Sequence, residues 1–345
     1  MTIPDGPDTG TSDGPERCSL SAVNMYFGGD VYSSVDPFAT ALGTAGGTVS
    51  FIGSDEAALA LDPQASDLAG DFLTPGFVHA GLVLDEHAPT APEVYERGFT
   101  HAHVLGGAET IARFRATAPE ALHVIGYPTL GADGAGDADV DEPEADEADA
   151  GRASIAAAEF LALSELPRTS LYILIDDGER LAEVLERLRE NAALAQRSGY
   201  RLLLDFAVED TFVSDLGRSG VAITLDPARP QPLAQLLSAG AQVSLSYSEE
   251  SPWASVRDAV IGENGIGARA AFNAATRFAH RAAGNPEGGV LAPGAVADFV
   301  RWQVERLVVQ VADPRVAAWS TDPRSGTPGL PELSPDVPLP TRVVL

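Results

Sequence analysis

Residues 73–83 read Leu-Thr-Pro-Gly-Phe-Val-His-Ala-Gly-Leu-Val and mark a change of texture along the chain. Upstream, short apolar runs are broken by turn signals: Val23–Phe27, the Gly28-Gly29-Asp30 turn, Ala39–Leu42, the Gly46-Gly47 turn, and Thr48–Ile52 ending at Gly53. Glycine pairs between short runs read as tight turns, so this part predicts a small antiparallel sheet. From Asp71 onward, apolar runs alternate with amphipathic stretches. Phe72–His79, Phe99–Leu105, Ala121–Ile125, Leu171–Ile175, Arg201–Phe206, Val221–Leu225 and Gln242–Tyr247 read as strands. Between them, Glu179–Ser198 carries Leu181, Val184, Leu185, Leu188 and Leu194 on one stripe, the mark of an amphipathic helix. Further helices are predicted at Trp253–Ile261 and Ala268–Ala283. Strands that alternate with helices run parallel. Seven such strands fall one short of a (β/α)8 barrel.

The missing strand should fall between Tyr127 and Leu171. That interval contains residues 131–151, GADGAGDADVDEPEADEADAG, with nine acidic residues and no basic ones. Such a segment has too little apolar surface to fold alone. It predicts a solvated loop that replaces or overwrites a strand. Asp137, Asp139 and Asp141 have the spacing of a calcium loop, but position six is Glu142 instead of glycine and position twelve is Ala148. A flexible acidic loop is the better reading.

Composition narrows the chemistry. All 22 basic residues are arginine; they face 50 acidic ones, for a net charge of −28. That charge repels phosphate backbones, so nucleic-acid binding is not expected. A chain without lysine offers no Schiff base and no phosphate-loop lysine. A single cysteine, Cys18, cannot build an intrachain disulfide. Residues 1–20 read as disordered and lack the apolar core of a leader. No run of about 18 apolar residues is present to insert into a membrane. The expectation is a soluble, cytoplasmic protein.

Three segments together resemble the amidohydrolase superfamily. Residues 73–83 resemble its first barrel strand, a hydrophobic pair followed by Pro-Gly-Phe-x-Asp-x-His-x-His. Ala270–Gly284, AAFNAATRFAHRAAG, resembles its late helix. Gly289–Val300 resembles its closing strands, Gly-x-Leu-x-Pro-Gly-x-x-Ala-Asp-hydrophobic. The resemblance covers about residues 23–305. It implies an α/β fold: a shortened or degraded TIM-like (β/α)8 barrel over residues 71–284, flanked by a small β-sandwich formed by the N- and C-terminal segments 21–70 and 285–310. A Pro/Gly-rich tail, 311–345, follows. Within the superfamily the chain looks most like bacterial enzymes that hydrolyse C–N bonds of N-acyl or formamide-type substrates.

The resemblance also implies one or two divalent metals, such as zinc, at the barrel mouth. Their usual ligands are two histidines of the first strand, a carbamylated lysine or a substitute on strand four, one histidine each on strands five and six, and an aspartate on strand eight. Carried onto this chain, the first-strand pair falls on Gly81 and Val83, and the aspartate before them on His79. The strand-five and strand-six positions fall on Leu174 and Leu204. The strand-eight position falls on Ser248, beside Tyr247 and Glu249. No lysine exists to carbamylate, and no histidine lies between His123 and His280. The chain therefore reads as a pseudoenzyme without cofactor, acting by binding a protein partner, for instance itself or an active homologue.

Two other readings stand beside it. His101 and His103 lie on one strand face, and with His79 and His123 they could form a relocated metal site for a C–N hydrolase. Alternatively, the former barrel pocket binds a small molecule. Asp176, Asp177 and Asp205 end two strands, where barrel chemistry sits. They could act as acid and base, or cap the following helices.

Overall fold

The computed structural model describes residues 23–131, 149–247, 251–310, 319–320 and 328–344. The first 22 residues, the calcium-like spacing, Ser248 and Glu249 lie outside the described residues.

The N-terminal strands are β1 (Val23–Phe27), β2 (Asp30–Val31), β3 (Ala41–Ala45), β4 (Thr48–Gly53), β5 (Ser66–Asp67) and β6 (Phe72–Pro75), with α1 (Asp55–Leu61) before β5. Next come β7 (Phe77–Val83), α2 (Ala91–Glu96), β8 (Phe99–Gly106), α3 (Ala108–Ala116) and β9 (His123–Pro128). Then follow β10 (Arg152–Ala156), α4 (Ala157–Ala162), β11 (Ser170–Ile175), α5 (Gly178–Glu190), α6 (Ala192–Ser198), β12 (Arg201–Leu204), α7 (Val213–Ser219), β13 (Ala222–Leu225), α8 (Leu233–Ser238) and β14 (Gln242–Leu245). The chain ends with α9 (Pro252–Ile261), α10 (Ala268–Ala275), α11 (Arg277–Ala282), β15 (Phe299–Gln303), β16 (Leu307–Gln310), β17 (Trp319–Ser320), β18 (Leu330–Pro331) and β19 (Thr341–Val343).

Strands β7 to β14 are eight in number and pair in chain order. They form a three-stranded parallel sheet, β7-β8-β9, and a five-stranded one, β10 to β14. A single bridge, Thr129 to Ser154, joins them. This corrects the strand count. The acidic segment precedes the missing strand instead of replacing it. Residues 152–156, Arg-Ala-Ser-Ile-Ala, are too short and too mixed to announce a strand by periodicity. Among the described residues, no ladder joins β14 to β7, and α11 packs against both.

Two four-stranded sheets lie to the side. One has the order β4-β3-β1-β5; the other is β19-β15-β6-β2. Val31, Leu42, Val49, Leu68, Leu73 and Leu291 share a small core there. The tail contributes as well: β19 pairs with β15, and Leu330 and Leu333 are buried in the main core. The Pro/Gly-rich end is thus partly built into the fold. Among the described residues, no helix is long and apolar enough to cross a membrane.

The predicted strand Phe72–His79 is split at Gly76. On one side, β6 runs antiparallel to β15; on the other, β7 runs parallel to β8. The crossing point has no room for a side chain, since a Cβ on Gly76 would fall 1.9 Å from Thr100 Oγ1. Phe77 then packs edge-on against Phe99, Trp253, Phe272 and Trp302. Gly76→Ala should therefore destabilise the fold by about 1–3 kcal/mol, as overpacking does. Urea unfolding would show a lower midpoint with an unchanged slope.

Candidate functional site

Strand polarity places a cavity of about 630 Å³ at the C-terminal ends of the parallel strands. Its walls come from β7 (His79, Gly81, Val83), β11 (Leu174, Ile175), β12 (Leu203, Leu204) and the turn after β14 (Ser246, Tyr247). Asp85, Asp176, Asp205 and Asp226 line it too, against Arg180 and Arg229. The floor is apolar and the rim is charged.

The rim carboxylates are engaged. Asp177 caps α5, accepting from the Arg180 backbone N–H at 2.8 Å. Asp176 pairs with Arg180 at 2.7 Å, and Asp205 with Arg229 at 2.8 Å. These pairs are solvent-exposed, so each contributes little to stability. Of the strand-end aspartates, Asp177 caps the following helix, whereas Asp205 closes an ion pair across the rim.

Gly81 sits in a β-bulge with φ +106°, and a Cβ there would lie 3.1 Å from Leu203 Cδ1 and 3.4 Å from Tyr172 Oη. Val83 ends β7 at the cavity edge, partly exposed. Leu174 packs with Leu203 in the interior between the strands. Leu204, the sequence-aligned position, packs into the larger core between strands and helices. Register explains this, because adjacent residues of a strand face opposite sides.

Below the floor, the interior is filled by a polar network around Arg201, which is fully buried. Its Nη1 donates to Tyr127 Oη at 2.9 Å and its Nη2 to His103 Nδ1 at 3.1 Å. The guanidinium also lies 4.3 Å from the Tyr172 ring centroid, a cation–π contact. Tyr172 Oη meets Thr224 Oγ1 at 2.6 Å, which in turn meets Ser244 Oγ at 2.8 Å. Because Arg201 donates to His103 Nδ1, the proton of His103 sits on Nε2, which has no partner. Burial and the adjacent Arg201 hold His103 well below its ordinary pKa.

The four histidines of the relocated-site reading do not converge. His79 packs on Phe99 and Tyr247 beneath the cavity. His103 belongs to Arg201. Only His101 and His123 meet, with rings stacked 4.6 Å apart. Two residues outside that set join them: His280 on α11 and Asp298 just before β15. The His101 and His280 rings are 4.3 Å apart, and His101 Nδ1 is 3.2 Å from Asp298 Oδ2. In sequence, one signal for these positions was available: His280 is an imidazole set in an alanine-rich helix that the fold buries.

The sequence matches no family model and no curated protein. Solved structures do match. A metal-dependent hydrolase from Pyrococcus horikoshii OT3 is 11% identical, with a TM-score of 0.58 over 83% of this chain and 98% of that one. A variant of atrazine chlorohydrolase from Arthrobacter aurescens TC1, complexed with zinc and atraton, is 15% identical, with a TM-score of 0.56 over 86% and 92%. An amidohydrolase from a Sargasso Sea environmental sample is 15% identical, with a TM-score of 0.53 over 83% and 85%. The chain shares its fold with these hydrolases.

The Pyrococcus neighbour carries the name of a metal-dependent hydrolase; among the described residues, no three metal-ligating side chains converge in this cavity. Position 81 has no side chain and little space for one, and Leu174 and Leu203 close the floor. Of the histidines, only His79 lines the cavity. Among the described residues, the one group of three metal-ligating side chains that converges is His101, His280 and Asp298, outside the cavity.

Burial, with Arg97 nearby, pushes His79 down to about 3. Burial and His101 push His280 down to about 4. Both folded values lie below the unfolded value near 6.5, so the unfolded chain takes up these protons first. The corresponding stability is complete above pH 6.5 and falls as pH drops toward 4, by up to about 1.4 kcal/mol per pH unit for each imidazole. Urea midpoints at pH 7 and pH 5 should differ more for the native chain than for His79→Leu.

Proposed function

We propose that this chain is an amidohydrolase-like protein without metal-hydrolytic activity that binds a small molecule in the cavity at the strand C-termini. The observation that supports the reading is the floor: Gly81, Leu174 and Leu203 offer no metal-ligating side chain, yet the cavity above them stays open. An apolar floor with a few polar groups at the edge is the ordinary form of a small-molecule site. Four aspartates against two arginines make the rim net negative. The favoured ligand is therefore neutral or cationic, with an apolar body seated on Leu174 and Leu203 and a polar group near Ser246 or the rim aspartates. A hydrolase built on His79, His101, His103 and His123 is not favoured, because three of those four lie away from the cavity.

A thermal-shift and calorimetric screen of neutral and cationic amides and aromatic amines tests this. Binding should weaken at least tenfold in Ser246→Trp, whose side chain would occupy the mouth, while the melting temperature of the free protein stays close to native. No N-acyl or formamide substrate should turn over with added zinc or manganese. Metal-dependent turnover, a screen without ligands, or ligands indifferent to Ser246→Trp would each overturn the proposal.

A further inference from the structure

Three elements distant in sequence bring ligand atoms together toward the N-terminal ends of the parallel strands. His101 comes from β8, His280 from α11 and Asp298 from the residue before β15. One ligand atom of each lies within 4.8 Å of the other two. His101 Nδ1 and Asp298 Oδ2 are 3.2 Å apart. Two ligands held at about 2.0 Å in a tetrahedron are separated by about 3.3 Å, so this pair already has the spacing of two first ligands.

Unpartnered atoms point the same way. His280 is 2% exposed, and its Nε2 has no hydrogen-bond partner. Asp298 Oδ2 is buried beside His101 Nδ1, which also meets Thr100 Oγ1 at 3.2 Å, so Thr100 and the carboxylate share this imidazole until an ion takes it. Buried polar atoms of this kind call for a missing partner such as an ion. The chain is also shaped around the His280 ring. A Cβ on Gly288 would meet its Nδ1 at 2.6 Å, and one on Gly289 its Cδ2 at 3.0 Å. The glycine pair lets the loop before β15 close over the imidazole. His123, stacked on His101 and itself exposed, marks the side open to solvent.

We propose that His101, His280 and Asp298 form a structural site for a divalent ion of the zinc class, with water as the fourth ligand. Two imidazoles and a carboxylate suit zinc or cobalt better than calcium or magnesium, which prefer oxygen alone. Bound there, the ion would tie β8, α11 and the strand-β15 segment together and fill the positions that now lack partners. A histidine ligates in its neutral form, and burial keeps His280 neutral at pH 7. The site is independent of the small-molecule cavity and stands or falls separately.

Cobalt(II) titration of the metal-stripped full-length chain provides the test. One equivalent should bind and give the intense visible absorption of tetrahedral cobalt. His280→Gln should weaken binding at least 100-fold, and Asp298→Asn should abolish the tetrahedral spectrum. His79→Gln should leave the spectrum unchanged. Zinc should raise the melting temperature of the native chain and not that of His280→Gln. If Asp298→Asn does not fold, His280→Gln decides alone, since its Nε2 has no hydrogen bond to lose. Absence of stoichiometric cobalt binding, or binding unaltered in His280→Gln, would overturn the site.

Discussion

The packing of Phe77 against four aromatic rings holds the molecule together. Phe99 belongs to β8, Trp253 to α9, Phe272 to α10 and Trp302 to β15. One side chain thus touches the parallel strands, two closing helices and the flanking sheet. Edge-to-face aromatic pairs contribute about 0.5–1.5 kcal/mol each beyond the area they bury. Gly76, immediately before Phe77, sets the approach by leaving room for Thr100. Trp302 is fixed in turn by its Nε1 hydrogen bond to Thr74 Oγ1, at 2.9 Å. Eleven residues, 73–83, therefore place both the junction of the two parts and one wall of the cavity.

Above this junction, the strand ends hold a cavity in which, among the described residues, no three metal-ligating side chains converge. The interior below is organised by a different cation. Arg201 sits among Tyr127, Tyr172 and neutral His103, held by hydrogen bonds and by the faces of aromatic rings. A buried charge is costly unless its donors are satisfied, and two hydrogen bonds with a cation–π contact partly meet that demand. The result is an apolar floor, Leu174 and Leu203, laid over a buried polar network.

Much of the architecture was legible in the sequence because it follows from periodicity. Alternating apolar and amphipathic stretches predict parallel strands with helical crossovers, and glycine-punctuated short runs predict the flanking antiparallel sheet. The elements that escaped detection did so for identifiable reasons. Residues 152–156 form a strand through pairing with Ser170–Leu174, not through a pattern of their own. Leu203, not Leu204, faces the interior, a one-residue difference that reverses the side of a strand and that an unbroken run of leucines cannot resolve. His280 and Asp298 join His101 only in three dimensions. His101 was visible as part of a His-x-His pair, but the strand context separates that pair: His103 turns to Arg201, while His101 turns to Asp298.

The central proposal is that the strand C-termini do not form a metal centre. Anomalous diffraction at the zinc absorption edge, from crystals grown with excess zinc, measures this directly. The account predicts no anomalous peak within bonding distance of His79, Asp205 or Asp226. A fully occupied zinc at the mouth, ligated by His79 and a rim aspartate, would contradict it.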